Sequence, residues 1–279
     1  MSRDGNRVEL PPSVTDRPDF LADGHFWVYE LPEGTPLDVR LGADGRLVFA
    51  VGGDEPTGEF HADDAPPLFG FAARFLAERF RRSALREAVA DPTAVSLRCV
   101  AVHRETRGYD PAETPAVVGL RVDHPDSSLL PHEVGRIFEA LGVPRLPVVD
   151  KEVPARRVSA DPASRPDSAW RDGPVHGLCY QKKGDGWAVR LFESPEAETV
   201  EPVASPESYA DGLVSTEAVR EVAGRLEDGG RTPTVEAVTD RLVDRAVRAD
   251  FPRFRESSVD LDAVRSSVAA RVADRLGRA

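Results

Sequence analysis

The hydrophobic residues of this chain recur with two periods, one typical of strands and one typical of helices. Near the start, alternating residues predict strands at 26–30, 37–41 and 47–51, and Ala43-Asp44-Gly45-Arg46 forms a turn between the last two. Because consecutive strands in antiparallel sheets often pair with one another, we expect a small antiparallel meander here.

Further along, apolar residues spaced three or four apart predict helices. The first helix covers 68–89 and ends before Asp91-Pro92, and the second covers 130–141 and is stopped by Gly142. Residues 150–174 are rich in Pro, Ser, Asp and Arg and predict a long loop. More strands are predicted at 95–102, 116–122, 177–181 and 187–192.

The final part of the chain predicts helices alone. After a Pro- and Glu-rich link at 194–206, helical patterns cover 219–226, 235–246 and 261–276, and Thr232-Pro233 suits the cap and first turn of the middle helix. The sequence therefore predicts an α+β fold of antiparallel sheets with packed helices, plus a small all-helical C-terminal subdomain. The predicted bounds are an extended lead-in at 1–24, a main domain at 25–205 and the helical subdomain at 206–279.

Charge limits the functions that the chain can serve. Its formal net charge is -12 over 279 residues. This surplus of acid argues against a general nucleic-acid binder, because phosphate groups are neutralised by Lys and Arg. Lysine occurs only at 151, 182 and 183. An acidic, lysine-poor surface is typical of a halophilic protein in a high-salt cytoplasm. A GC-rich coding sequence, which favours Arg over Lys, explains the same composition.

No stretch of the sequence approaches the ~20 consecutive apolar residues that a membrane helix needs. The N-terminus is polar and lacks the apolar segment of a secretory signal. We therefore expect a soluble, cytoplasmic protein that does not associate with a membrane.

Few residues are candidates for a disulfide, a metal site or a catalytic nucleophile. Cys99 and Cys179 lie inside apolar strand patterns, so we expect both to be buried, without a disulfide or a metal. The His and acidic residues at 103–110 and at 123–133 have no spacing as diagnostic as His-Glu-x-x-His, and the sequence has no nucleophile elbow. We expect neither a metal site nor a separate hydrolase.

Two stretches carry a recognisable order of motifs. Glu30-Leu31-Pro32-Glu33-Gly34-Thr35 follows the first predicted strand. Between 115 and 191, two strand patterns flank a helix and a proline-rich connector, and the stretch ends in Val175-His176-Gly177-Leu178-Cys179-Tyr180-Gln181-Lys182 and Trp187-Ala188-Val189-Arg190-Leu191. This layout resembles the ATP-dependent RNA ligases of the covalent nucleotidyltransferase superfamily. The resemblance implies a nucleotidyltransferase fold, RNA-ligase-like or ATP-grasp-like, over residues 26–192.

The resemblance also implies where the nucleophile would lie. In that family, the Lys of a Glu-Lys-x-Asp-Gly-Thr segment attacks the ATP α-phosphate. Leu31 occupies its position here, and a leucine lacks the desolvated amine that transfer through lysine requires. Glu33 takes the place of the Asp that contacts the ribose. Arg40 is a weaker match to the family's next Arg, because it comes two residues late.

The later motifs have changed as well. Cys99-Val100 matches a Gly-Glu pair, and Leu120-Arg121 matches a Phe-Asp pair whose aromatic ring stacks on adenine. His176 replaces a Glu that helps to hold the divalent metal, although Mg²⁺ prefers oxygen ligands. Arg190 keeps a positive charge at the last basic position, but Arg does not substitute for a catalytic Lys.

Another nucleophile stays open as an alternative. Lys183-Gly184-Asp185-Gly186 spells the nucleophile pattern, although a hairpin turn between two strands favours the same glycines. If the chain is active, the candidate nucleophiles are therefore Lys151, Lys182 and Lys183.

Basic and aromatic side chains suggest two further ligand contacts. Trp170 lies in the predicted loop and is a candidate for stacking on a base, whereas Trp27 and Trp187 fit core positions. A basic cluster on the first helix predicts either a phosphate-binding strip or a solvated helix face. That strip would consist of Arg79, Arg81, Arg82, Arg86, Lys182, Lys183 and Arg190.

Three functions follow from these observations. The first is a catalytically degenerate RNA-ligase-like protein that binds a nucleotide, an RNA end or a protein partner. The second is an active, divergent RNA ligase or nucleotidyltransferase that uses ATP and Mg²⁺. The third is a non-catalytic interaction module whose protein partner binds the C-terminal helices. For the first function, the candidate nucleotide- or RNA-binding residues are Glu33, Arg40, Leu120, His176, Lys182 and Arg190.

Overall fold

A computed structural model describes residues 8–52, 58–106, 109–125, 129–160, 165–183, 186–193 and 200–277. Within these residues, the chain forms two antiparallel four-stranded sheets and a set of packed helices. The fold is therefore α+β, as the sequence predicts. None of the described helices is long and apolar enough to cross a bilayer.

The strands are numbered along the chain. Across the first sheet their order is β6 (Val148–Pro154), β1 (His25–Leu31), β7 (Gly177–Lys182) and β8 (Trp187–Leu191). Across the second sheet it is β3 (Leu47–Val51), β2 (Gly34–Leu41), β4 (Ser96–Val102) and β5 (Val117–Asp123). The predicted β7–β8 strand pair is confirmed.

The predicted meander is wrong, because β1 and β2 belong to different sheets. β1 pairs with β6 and β7, whereas β2 pairs with β3 and β4. Only Pro32 and Glu33 separate β1 from β2, so the chain passes directly from one sheet to the other. Gly34 instead approaches the second sheet closely: at its φ of +153°, a Cβ atom would lie 2.2 Å from the carbonyl oxygen of Ala101. Only glycine fits this crossing.

The first predicted helix is interrupted. The chain forms α1 (Gly70–Arg79) and α2 (Arg82–Ala88), with Phe80 in an extended conformation between them. The amide of Arg81 donates to the carbonyl of Leu141, 2.9 Å away, at the end of α3 (Pro131–Leu141). This tertiary hydrogen bond replaces a bond inside the helix. The helix α3 itself is confirmed, and left-handed Gly142 ends it.

The predicted loop at 150–174 is wrong in its first part. Residues there complete β6, which pairs with β1 at the edge of the first sheet, and form the short helix α4 (Ala155–Ala160). An edge strand with a solvated face needs no run of apolar residues, so its pairing with β1 decides its structure.

The C-terminal part is helical, and the three predicted helices are present. They are α6 (Thr216–Asp228), α7 (Val235–Ala249) and α9 (Leu261–Leu276), and the structure adds α5 (Pro206–Leu213) and α8 (Phe251–Arg255). Their buried residues join those of the second sheet in one hydrophobic core. A smaller core lies on the other face of the first sheet, around Phe26 and Tyr180.

Both cysteines and Trp187 lie in this interior, and Trp27 lies at its margin. Cys99 and Cys179 are free thiols with raised pKa values, because burial disfavours the thiolate. Trp187 is buried, and Trp27 packs against the main core at its margin. Burial of both cysteines and core packing of these tryptophans are therefore confirmed.

A buried arginine ties α7 to the second sheet. Arg248 is only 5% exposed. Its Nε donates to the carbonyl of Val102 at 2.9 Å and its Nη1 to that of Pro111 at 2.8 Å. Its Nη2 donates to the carbonyls of Thr114 and Pro115 at 2.9 and 3.0 Å. Burial lowers the pKa of Arg248 to about 10, so the guanidinium stays charged near neutral pH.

We expect Arg248→Met to lower the free energy of unfolding by about 3 kcal/mol or more, because it leaves several buried carbonyls without a donor. Denaturant unfolding measures the change. Arg231→Met is the control, because Arg231 makes an exposed ion pair with Glu78 and should contribute less than about 1 kcal/mol. Equal losses in the two variants would contradict the role of Arg248 as a tether.

Candidate functional site

Buried polar side chains gather where the chain passes from the first sheet to the second. We call Glu30, Glu33, His103, Tyr109 and His176 the junction site. Glu30 is the last residue but one of β1, and Glu33 immediately precedes β2. His103 immediately follows β4, and His176 immediately precedes β7. Glu30, Glu33 and His103 are each at most 2% exposed. Burial of this kind is costly unless each polar group is hydrogen-bonded.

Glu30 holds the segment that precedes β7. Its two carboxylate oxygens accept hydrogen bonds from the hydroxyl of Ser168 at 2.5 Å and from the amide of Ala169 at 2.8 Å. The next residue, Trp170, packs against the main hydrophobic core. Glu30 therefore acts as an anchor for this segment.

Glu33 holds the segment that follows β4 in the same way. One of its oxygens accepts from the amides of Glu105 and Thr106, each at 3.0 Å, and the other accepts from the Thr106 hydroxyl. His176 Nδ1 lies 3.5 Å from a Glu33 oxygen. The fold thus brings two of the candidate residues, Glu33 and His176, into contact.

His103 is a neutral, packed side chain. Its Nε2 lies 2.8 Å from the Thr35 hydroxyl, and its ring stacks on Phe251 with centroids 3.5 Å apart. Its Nδ1 lies 3.5 Å from a Glu105 oxygen, so the two residues are neighbours. Burial lowers the pKa of His103 to about 3, and so weak a base is unsuited to accepting a proton at neutral pH.

Tyr109 closes the junction site from the loop after β4. Tyr109 is buried, at 6% exposure. Burial raises the pKa of Tyr109, and the carboxylates of Glu30 and Glu33 raise it further. The phenol therefore stays protonated.

The position at which the resemblance predicts a nucleophile is apolar and closed. Leu31 is 1% exposed and lies opposite Gly177 of β7. Two residues earlier on the same strand, Tyr29 stacks on Trp187 with centroids 6.0 Å apart. Leu31, Tyr29 and Trp187 all belong to the main core. The side chain at this position offers hydrocarbon packing and no reactive group.

Leu120 also lies in the main core. It sits on β5 where the pairing with β4 is irregular, between Arg98 and Cys99. Its partner motif, Cys99-Val100, is buried on β4. Neither position supplies the aromatic ring or the carboxylate that the family uses.

The remaining predicted residues lie on other surfaces. Arg190 covers the ring of Tyr180 at 5.7 Å, on the small-core face of the first sheet, whereas Leu31 belongs to the main core on the opposite face. Lys182 forms an ion pair with Asp23, and Arg40 forms one with Glu59. Binding roles for these three residues stay predictions.

The chain's three lysines lie near the start of β1, away from Leu31. Lys151 Nζ lies 4.9 Å from the centre of the Trp27 ring, and Lys183 Nζ lies 3.5 Å from Glu152. Glu152 also accepts from the Trp27 indole at 3.1 Å. In the Lys183–Gly186 motif, residues 184 and 185 lie outside the described residues.

The predicted basic strip divides between the two sheets. Arg86 lies against the turn at Gly45, next to β2 and β3 of the second sheet. The amide of Arg81 is bonded to the end of α3, whereas Lys182 and Lys183 contact residues of the first sheet and its lead-in. Phosphate binding by a continuous strip stays a prediction.

The junction site does not suit a divalent metal. Mg²⁺ prefers several oxygen ligands in open positions. Here the oxygens of both buried carboxylates already accept hydrogen bonds from the protein. Among the described residues, no group of three or more His, Cys, Asp and Glu side chains is placed to hold a metal ion. The hydrogen bonds of Glu30 and Glu33 therefore stabilise two loops.

Sequence reasoning missed Glu30 and Tyr109 in the junction site. A signal for Glu30 was present, because it is a charged residue inside the apolar strand Phe26 to Leu31. A buried strand seldom carries a carboxylate unless that group has a partner. Tyr109 gave no such signal, since it lies in an irregular segment.

Among proteins of known structure, this chain is similar to RNA ligases, with low sequence identity and low TM-scores. No protein-family model matches the sequence, and no curated protein matches it either. A Naegleria gruberi RNA ligase with PPi is 12% identical, with a TM-score of 0.49 over 68% of this chain and 57% of that one. A mutant of that ligase with AMP and Mn gives the same four values.

An archaeal ATP-dependent RNA ligase is 11% identical, with a TM-score of 0.44 over 97% of this chain and 65% of that one. This chain therefore spans less than two thirds of the length of each of these ligases. Every one of these TM-scores is below 0.5.

His103 should make the stability of the protein depend on pH. Its pKa is about 3 in the folded state and about 6.5 when unfolded. Between these values the unfolded state binds the extra proton, so stability falls as pH falls below about 6.5. Relative to His103→Gln, the wild type should lose up to about 1.4 kcal/mol per pH unit from pH 6 to pH 4.

Chemical denaturation at several pH values measures this difference. Comparison with the variant is needed because other groups titrate in the same range. Parallel stability curves for the two proteins would show that His103 is not buried in its neutral form.

Proposed function

We propose that the chain is a non-catalytic, RNA-ligase-like protein that binds a nucleotide, an RNA end or a protein partner without transferring a nucleotide. The main observation is at Leu31. The motif order puts the family's attacking amine there, and this side chain is a buried hydrocarbon. Transfer through lysine needs an amine beside the ATP α-phosphate.

The carboxylates around Leu31 support the same proposal. Glu30 and Glu33 are committed to hydrogen bonds with the segments that they anchor. A metal or a ribose hydroxyl would have to replace those bonds and release the loops. These acids therefore favour a structural role at the place where the family carries out its chemistry.

An active enzyme that uses another lysine is the second candidate. Its support is the Lys183-Gly184-Asp185-Gly186 pattern. A nucleophilic lysine is usually activated by desolvation. The Lys183 side chain, however, is 61% exposed. The lysines also lie four to six residues along β1 from Leu31, next to Trp27, Phe26 and His25, which corresponds to roughly 13–20 Å. These observations favour the non-catalytic function.

A protein partner on the C-terminal helices is the third candidate. It needs an apolar face that the fold itself leaves uncovered. Among the described residues, the large exposed hydrophobic side chains are Leu130, Val149 and Leu191, none of which lies on α5 to α9. The helices therefore offer such a partner little apolar surface.

Incubation with labelled ATP and either Mg²⁺ or Mn²⁺, followed by a denaturing gel, tests the proposal. We expect no covalent nucleotide on the wild type at low or molar salt, because Leu31 has no amine. Lys183→Ala is the matched variant and should also remain unlabelled. An active RNA ligase run in parallel shows that the assay works. Labelling of the wild type that disappears in Lys183→Ala would establish the second candidate.

A further inference from the structure

A cavity of about 550 Å³ lies away from the junction site, between α1, α6, α7 and the segment 111–116. No residue of the junction site lines it. The lining contains six arginines against three carboxylates. The arginines are Arg79, Arg225, Arg231, Arg241, Arg245 and Arg248, and the acids are Glu78, Glu113 and Asp244. The lining is thus formally positive in a chain of net charge -12.

The carboxylates around the cavity are shared between arginines. Glu78 pairs with Arg231 at 2.9 Å and with Arg241 at 2.5 Å. Glu221, outside the lining, pairs with Arg225 at 3.2 Å and Arg245 at 3.1 Å. A guanidinium has five N–H donors, and each of these pairs uses only one or two. Donors are therefore left over for a ligand with several oxygen acceptors.

Arg79 and Asp244 add to the positive character. Arg79 lies over the Phe75 ring at 4.8 Å and takes part in no ion pair among the described residues. Burial raises the pKa of Asp244 to about 6, against the opposing effect of Arg74 and Arg241. Asp244 is therefore close to neutralisation at mildly acidic pH, which would remove one of the three negative charges.

The walls of the cavity are fixed by the fold. Arg248 is bonded to the carbonyls of Pro111, Thr114 and Pro115, so α7 and the segment 111–116 are held together. Across the opening, Arg225 donates to the carbonyl of Ala112 at 2.7 Å and to Glu113 at 2.8 Å. A site with fixed donors binds a charged ligand without the cost of ordering its own side chains.

We propose that this arginine cavity binds the phosphate groups of an anionic ligand, namely a free nucleoside polyphosphate or the phosphorylated end of an RNA strand. Arginine matches the planar, multiple acceptors of phosphate better than lysine does. The volume falls within the range of about 300–1,000 Å³ that small-molecule sites occupy. The choice of ligand rests on the proposed function, whereas the charge and the geometry do not.

Calorimetric titration tests the cavity with four probes at about 0.1 M salt and without divalent metal. The probes are pyrophosphate, ATP, a 5′-phosphorylated oligoribonucleotide and the same oligoribonucleotide with a 5′-hydroxyl. We expect pyrophosphate and ATP to bind. Tighter binding of the phosphorylated strand than of its hydroxyl form would identify an RNA end as the ligand, and equal binding of the two strands would identify the free nucleotide.

Substitutions that change the charge of the cavity in opposite directions test whether the probes bind there. Arg79→Gln and Arg231→Gln should each weaken pyrophosphate binding about tenfold, because each removes charge-assisted hydrogen bonds. Glu113→Gln should strengthen it, because it removes an exposed carboxylate from the rim. Arg220→Gln is the matched control: Arg220 is exposed on the same helix as Arg225 but does not line the cavity. Thermal unfolding checks that each variant is folded.

Two results would overturn the cavity proposal. One is the absence of binding of all four probes at millimolar concentration. The other is binding that Arg79→Gln and Arg231→Gln leave at the wild-type affinity. Either result leaves the non-catalytic function intact, because that function fails only if the wild type becomes covalently labelled. Labelling, in turn, would leave the cavity proposal standing.

Discussion

The passage of the chain from β1 in the first sheet to β2 in the second, at residues 31–34, is the constraint on which the surrounding structure depends. Gly34 permits the crossing, because any Cβ atom there would overlap the backbone of β4. Two carboxylates flank it, and each has to be satisfied because each is buried. Glu30 fixes the segment before β7, and Glu33 fixes the segment after β4. The carboxylates at the crossing therefore hold both of these loop segments in place.

This arrangement supports a structural role for the junction site over a catalytic one. Leu31 is a buried hydrocarbon side chain, and the acids beside it accept hydrogen bonds from the protein. The surplus positive charge lies elsewhere, in the cavity between α7 and the segment 111–116. Arg248 connects the two regions, since it ties α7 to the end of β4, immediately before the segment that Glu33 holds. The arginine cavity and the junction site are thus separate regions of this fold.

The sequence predicts those elements whose pattern is local. Helix α3 with Gly142, the β7–β8 pair and helices α6, α7 and α9 have strong periods or clear stop signals. The meander, the long first helix and the loop at 150 fail because pairing with distant residues decides each of them. The sequence named Glu33 and His176 separately as candidates, and their contact is visible only in the structure. The arginine cavity is also visible only in the structure, because its side chains come from segments up to 169 positions apart, from Arg79 to Arg248.

The measurement that tests the account most directly is the free energy of unfolding of Glu33→Gln. If this buried carboxylate anchors the loop after β4, the variant should be less stable than the wild type by about 2 kcal/mol or more, because charged hydrogen bonds are lost. The exposed Glu113→Gln is the control and should change stability by no more than about 0.5 kcal/mol. Residues retained for chemistry often cost stability, so their removal leaves a protein equally or more stable. A Glu33→Gln protein as stable as the wild type would contradict the account.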